Sequence, residues 1–295
     1  MTESANDSPM DTDFSYCRDL VRRYDRDRYI CTLLAPEHNR GALFALYAFN
    51  IEIAGTRESV SDPLIGQMRL KWWYDALDPI FDGNPPAHQV SAPLSVAVRD
   101  TGIDRELLKS LIEARTDDLG DEPPATLANL VNYADGTSGS LVKIACGLLG
   151  ADNEAVMKAA HHVGIAWAFT GLLRSLPFNL SQRRLNIPTD LCKELDLDVS
   201  ALFEQRGHGK TPDQLTQAVA VLEAHAREHL AAAQTFQADI PRSVLPAMLP
   251  AVLAKSYLKE LANCNHDPFL LPLGRTGPGV GGMMSLLWAS VRGRF

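Results

Sequence analysis

Apolar residues recur along this chain every three to four positions, and alternating β-branched runs bounded by turns are almost missing. Ala, Leu, Glu, Arg and Gln fill the long segments, which favours helix. The spacing predicts helices over about 13–27, 37–57, 62–83, 91–99, 104–119, 125–149, 152–176, 189–206, 211–238 and 241–263, with a short one near 280–292. Turn chemistry falls where these should end, in "DGNPPAH" (82–88), "GDEPPAT" (120–126), "GHGKTP" (207–212) and "PLGRTGPGVGG" (272–282). Thr126 and Asp152 suit N-cap positions, and Pro63 suits a first turn, where its missing N–H is not needed. The expected fold class is therefore all-α. No linker is long enough to demand a boundary. Residues 1–12, polar and acidic, are expected to be a disordered lead-in, 13–270 one helical domain, and 271–295 a Gly/Pro-rich linker with a short amphipathic C-terminal helix.

Four stretches depart from plain amphipathic pattern. "YAFNIEIAGTRESVSDP" (47–63) runs from an apolar face into a polar stretch that holds Ala54 and Gly55. "MRLKWWYDALDPIFDG" (68–83) sets Trp72, Trp73, Leu77 and Ile80 at helical spacing, an expected core stripe. "LVNYADGTSGSLVKIACGLLG" (130–150) places Gly136, Ser138, Gly139 and Ser140 inside a helical pattern, and two glycines cost roughly 1–2 kcal/mol of helix propensity against alanine. Close helix packing and backbone opened to a ligand both account for that cost. In "HVGIAWAFTGLLRSLPFNLSQRRLNIP" (162–188), Pro177 is expected to kink or end the helix. The basic residues around it suit either the helix dipole or a phosphate contact.

Composition narrows the function classes. Of 295 residues, 46% are hydrophobic and 22% charged, with no apolar run of membrane-spanning length. The formal charge of −8 and the scatter of Lys and Arg argue against nucleic-acid binding. Cys17, Cys31, Cys146, Cys192 and Cys264 are far apart and odd in number, so neither a disulfide framework nor a zinc site is indicated. His161 and His162 are adjacent in sequence and are expected to point to different faces, so no metal site is assigned to them. Glu113, Asp117 and Asp118 are read as a solvated acidic face. No GxxxxGK[ST], GxSxG or HExxH motif occurs. The tail "MMSLLWASVRGRF" (283–295) combines apolar and basic residues in a form suited to a membrane interface, a partner groove, or docking on its own chain.

In order along the chain, "RDRYICTLLAPEHNRGALFALYAFN", "SDPLIGQMRLKWWYDALDPIFDG", "LIEARTDDL", "NYADGTSGSL" and "GLLRSLPFNLSQRRLNIP" resemble the squalene/phytoene synthase family over roughly residues 15–265. The resemblance implies a single-domain isoprenoid-synthase-like helical bundle around a central cavity, in which two prenyl diphosphates are joined head to head. The family holds the departing pyrophosphate with Mg²⁺ ions carried by carboxylates at i and i+4 on two facing helices. Laid on this chain, the paired Asp positions of the first motif fall on Ala54 and Gly55 and its last acid on Glu58. The Asp positions of the second motif fall on Ser175 and Asn179, next to a matching Arg174. Positions that match the family's cavity contacts are Arg40, Tyr47, Asn50, Tyr133, Gly136 and Arg174, and these are the expected ligand-binding residues.

A branch of the family that lacks these aspartates, similar to the mitochondrial complex I assembly factors, shares the style of segment seen at 48–73. The start of the chain carries neither a secretory nor an organellar signal pattern, so the expectation is a bacterial relative of that branch, cytoplasmic or peripheral at the inner face of the membrane. The expected role is that of a pseudoenzyme, a scaffold in respiratory-complex assembly with room for an isoprenoid or lipid ligand and no cofactor. An active Mg²⁺-dependent head-to-head prenyl diphosphate synthase and a plain lipid carrier are the alternatives.

Overall fold

Side-chain caps set the start of several of the described helices, among them those that open after Asp25, Asp62, Asp104, Thr126 and Asn153. The computed structural model describes residues 9–99, 101–205, 210–272 and 277–295, and no strand occurs among them. The expected lead-in thus falls largely outside the described residues. Helices α1 (Pro9–Tyr24) and α2 (Arg26–Leu33) divide at Asp25, whose carboxylate caps α2 by accepting from the Arg28 N–H at 3.1 Å. Then follow α3 (Glu37–Ala54), α4 (Thr56–Ser59), α5 (Pro63–Phe81), α6 (Ser91–Arg99) and α7 (Arg105–Ala114). Pro63 stands in the first turn of α5, as the sequence implied, and Asp62 caps that helix.

Helix α8 (Leu127–Ala134), capped by Thr126, passes through a π-helical turn at Asp135–Gly139 into α9 (Ser140–Leu148). Helix α10 (Glu154–Ser181) takes its cap from Asn153 rather than the expected Asp152. It also runs through Pro177, which neither ends nor interrupts it. One donor is lost there, but its closing turn is capped, the Gln182 N–H reaching the Phe178 and Asn179 carbonyls. The expected helix over 189–206 is two, α11 (Thr189–Glu194) and α12 (Val199–Gln205), parted near Asp196 at φ 53°. The rest is α13 (Asp213–Thr235), α14 (Leu245–Met248), α15 (Pro250–Asn263) and α16 (Val280–Arg292).

These elements form two compact units. One takes the chain as far as Leu119 with Ile144–Asp152 and Pro241–Ala247; the other takes Gly120–Lys143, Asn153–Ile240 and Met248–Phe295. In the first, α3 packs on α1 and α6, and α5 on α6 and α7. Phe49, Trp73, Leu77 and Ile80 are fully buried there, and the Phe49 and Trp73 rings meet edge to face at 5.2 Å. Trp72 departs from the expected core stripe. It is 41% exposed, because α5 offers its neighbours too narrow a face to cover both tryptophans.

His88 lies against both indoles, 4.9 Å from Trp73 and 5.5 Å from Trp72, and its Nδ1 accepts from the Val90 N–H at 3.1 Å. Burial, helped by Arg69 and opposed by Glu52, holds its pKa below 6.5. A histidine whose folded pKa is depressed favours folding above the unfolded value and loses that contribution as pH falls below it. Urea-unfolding stability measured between pH 7 and pH 5 is expected to fall less steeply in His88→Gln than in the parent chain; equal slopes would refute the assignment.

In the second unit α10 is the central helix, packed against α13, α15, α8 and the π turn. Gly164 on α10 touches the π turn backbone to backbone. A Cβ at 164 would stand 2.3 Å from Gly139 Cα and 2.5 Å from Gly139 N. Close packing therefore accounts for Gly164, whereas a Cβ at Gly139 would meet the Asp135 carboxylate, with Oδ1 at 2.3 Å. Helix α16 buries Gly282, Leu286 and Ala289 and packs on α15, and the Phe295 N–H is held by the Gln237 side chain at 2.9 Å. The opposite face of α16 leaves Val280, Met284, Leu287, Trp288 and Val291 exposed. The tail thus docks on its own chain by one stripe and leaves a second uncovered.

Candidate functional site

The end of α3 carries Ala54 and, at its C-cap, Gly55, the positions of the family's paired aspartates, and in the first unit it forms one wall of a cleft of about 830 Å³. Asn50, Ala54, Gly55 and Glu58 all line it. Tyr16, Leu20 and Tyr24 of α1 add an apolar and phenolic side. Asp25, Glu52 and Glu58 face Arg28, Arg69 and Arg115, so acids and bases balance.

Ion pairs fix most of this charge. Arg28 reaches Asp25 at 2.7 Å and Arg69 reaches Glu52 at 2.5 Å, with the Glu52 side chain 12% exposed. Arg115 pairs with Asp118 at 3.3 Å and donates to the Asn50 amide oxygen at 3.2 Å. Asp118 is therefore not part of a free acidic face. Helix α7 stops at Ala114 and a 3₁₀ turn follows, which takes Asp117 out of helical register with Glu113. Arg69 Nε is buried with no acceptor among the described residues.

The residues present do not fit a magnesium cluster. Ala54 and Gly55 offer no side-chain oxygen, and Asp25 and Glu52 already hold guanidinium groups. A divalent ion some 6 Å from a guanidinium is repelled by about 5 kcal/mol at an effective dielectric of about 20. The cleft as built suits a neutral or anionic polar group against its arginines and an apolar chain along α1.

The other expected site residues divide between the units. Arg40, in the first turn of α3, is engaged with the segment before that helix, Nε donating to the Ala35 carbonyl at 2.9 Å. Tyr47, 4% exposed, is not a lining residue; its ring lies beneath the Arg28 guanidinium at 5.6 Å, and burial pushes its phenol pKa up. In the second unit Tyr133 sits on α8 and Gly136 in the π turn. Arg174 stacks on the Tyr257 ring at 3.7 Å. Ser175 and Asn179, one helical turn apart, bond to each other, amide nitrogen to hydroxyl at 3.2 Å. A neutral hydrogen bond thus occupies the i, i+4 pair where the family pattern carries carboxylates.

A second cluster was not foreseen. The expectation that His161 and His162 point apart is overturned, since their ring centroids are 4.9 Å apart. Adjacent residues differ by about 100° around a helix, and two long side chains can lean back across that angle toward a shared neighbour. That neighbour is His229 on α13, whose Nδ1 is 2.9 Å from His162 Nδ1. Asp135 in the π turn accepts from His161 Nδ1 at 2.8 Å and from Lys143 Nζ at 2.9 Å. Burial opposes ionisation of Asp135, but these two partners outweigh it and hold its pKa below the usual carboxylate value. Burial and the other histidines push His229 down to about 4.

Comparison with known proteins accords with this geometry. The sequence model of the squalene/phytoene synthase family matches residues 21–277. Complex I assembly factor 6 of Bos taurus is 33% identical over 255 residues, 86% of this chain and 75% of the relative's length, and the Homo sapiens protein is 31% identical over 254. A presqualene diphosphate synthase of Sinorhizobium fredii is 25% identical over 231 residues, 78% of this chain and 80% of that protein. Among solved structures, a dehydrosqualene synthase superposes with a TM-score of 0.81 at 17% identity, covering 97% of this chain and 99% of that one. A squalene synthase from Alicyclobacillus acidocaldarius gives 0.77 at 16%, covering 88% and 96%. The all-α isoprenoid-synthase fold and the ordered sequence segments converge: this chain is a member of the squalene/phytoene synthase family, more similar in sequence to these assembly factors than to these synthases.

Proposed function

We propose that this chain is a non-catalytic member of its family that serves the assembly of a respiratory complex of the complex I type and lodges an isoprenoid or lipid tail in the cleft of its first unit. The observation that carries this reading is the state of the motif positions. Ala54 and Gly55 line the cleft without ligand oxygens, and Ser175 and Asn179 satisfy each other. Joining two prenyl diphosphates requires the leaving pyrophosphate to be neutralised, and neutral side chains at these positions cannot hold the ions that do so. Similarity to proteins named as complex I assembly factors supports the assembly role.

The exposed apolar stripe of α16, with Arg292 over Trp288 at 4.1 Å, supports a peripheral seat at the membrane where such a complex is built. No helix among the described residues is long and apolar enough to cross it. Incubation with farnesyl or geranylgeranyl diphosphate and Mg²⁺ is expected to release no pyrophosphate above background, and turnover at an enzyme-like rate would refute the reading. Deletion of the gene is expected to deplete assembled complex I. Tight prenyl-chain binding with assembly unaffected would instead mark a lipid carrier.

A further inference from the structure

We propose that His161, His162 and His229 form a binding site for a divalent transition ion of the zinc class, separate from the cleft and independent of the function proposed above. Donor atoms of the three side chains lie within 4.8 Å of one another. Imidazole nitrogen is a ligand for zinc, copper and nickel, whereas magnesium and calcium demand oxygen, so the donor set excludes the family's usual cation.

Distances place the site close to its bound geometry. Zn–N bonds of about 2.0–2.1 Å around a tetrahedron put neighbouring nitrogens roughly 3.3 Å apart. His162 Nδ1 and His229 Nδ1 are at 2.9 Å, so opening by a few tenths of an ångström accommodates an ion between them. His161 has its Nδ1 on Asp135, which leaves Nε2 as its ligand nitrogen. A carboxylate behind a ligating imidazole fixes its tautomer and raises its basicity. The π turn puts Asp135 in that place. With glycine at 139 there is no Cβ to exclude the Asp135 carboxylate, whose Oδ1 would lie 2.3 Å from one, and Lys143 anchors the same oxygen.

The scaffold is stiff. Helices α10 and α13 pack directly, the Phe236 ring stacks on His162 at 6.4 Å and 17°, and Gly164 locks α10 to the π turn. His225, one turn before His229, is bonded to Glu228 at 3.1 Å and is left outside the donor set. Three protein ligands at half-buried positions leave a fourth coordination place for water or an exogenous group.

Tag-free protein should be titrated with zinc chloride by calorimetry, with metal content measured after dialysis. One zinc per chain is expected, with no heat from magnesium chloride. The double variant H162Q/H229Q should weaken binding at least 100-fold, and Asp135→Asn 10- to 100-fold, with helix content preserved by circular dichroism. Equal uptake by the parent and the double variant would show adventitious surface binding only and overturn the proposal, as would the absence of zinc binding by the parent. Should the variants misfold, hydrogen exchange at the imidazole C2 positions of the parent chain decides. Zinc is expected to slow exchange at His161, His162 and His229 and leave His38 unchanged; uniform rates with and without zinc would equally overturn the assignment.

Discussion

Replacing Gly164 by alanine is expected to destabilise the second unit by about 3 kcal/mol, the upper end of the usual range for overpacking, or more. Alanine in the middle of a helix gains roughly 1 kcal/mol of propensity over glycine, so the sign depends on what the new methyl meets. It meets backbone. Gly139 Cα at 2.3 Å, Gly139 N at 2.5 Å and the Ser138 carbonyl carbon at 2.7 Å cannot rotate aside as a side chain would. The crossing must open, and the packing of α10 on the π turn opens with it. Urea unfolding of Gly164→Ala, set beside Gly171→Ala on the same helix where a Cβ has open space, isolates the clash from the propensity. If both variants gain stability, the crossing is not tight.

Trp73→Ala is expected to cost about 3–5 kcal/mol, whereas Trp72→Ala, its neighbour in sequence, should cost about 1 kcal/mol or less. Trp73 is 1% exposed and is wedged between Phe49 and His88. Truncation leaves a cavity against α3, the helix that presents Asn50 and Ala54 to the cleft. Trp72, at 41% exposed, has part of its ring already in solvent. Denaturant midpoints of the two variants test the contrast, and equal losses would contradict the burial assigned to Trp73.

Local periodicity makes most of the helices legible in the sequence. The spacing gave 91–99 and about 280–292, the bounds found for α6 and α16. What it did not reveal were breaks imposed by single residues, such as the cap at Asp25 and the left-handed turn at Asp196, because neither interrupts the apolar pattern. The loss of acids at Ala54 and Gly55 was visible from the family resemblance, and both residues do line a cleft. The arginine pairings of that cleft were not. Arg69 finds Glu52 from 17 residues away and Arg115 finds Asn50 from 65 away, separations that carry no spacing signal. His229 was missed for the same reason, being 67 residues from His162.

The bond between Asn179 and Ser175 also bears on how this chain can change. Converting Asn179 to aspartate removes the amide that donates to Ser175 and replaces a neutral pair by a charge. At Ala54 a new carboxylate would enter a wall where Arg28, Arg69 and Arg115 already pair with Asp25, Glu52 and Asp118. A single acid at any one of Ala54, Gly55, Ser175 or Asn179 therefore adds charge without supplying the several oxygen ligands that a magnesium ion requires.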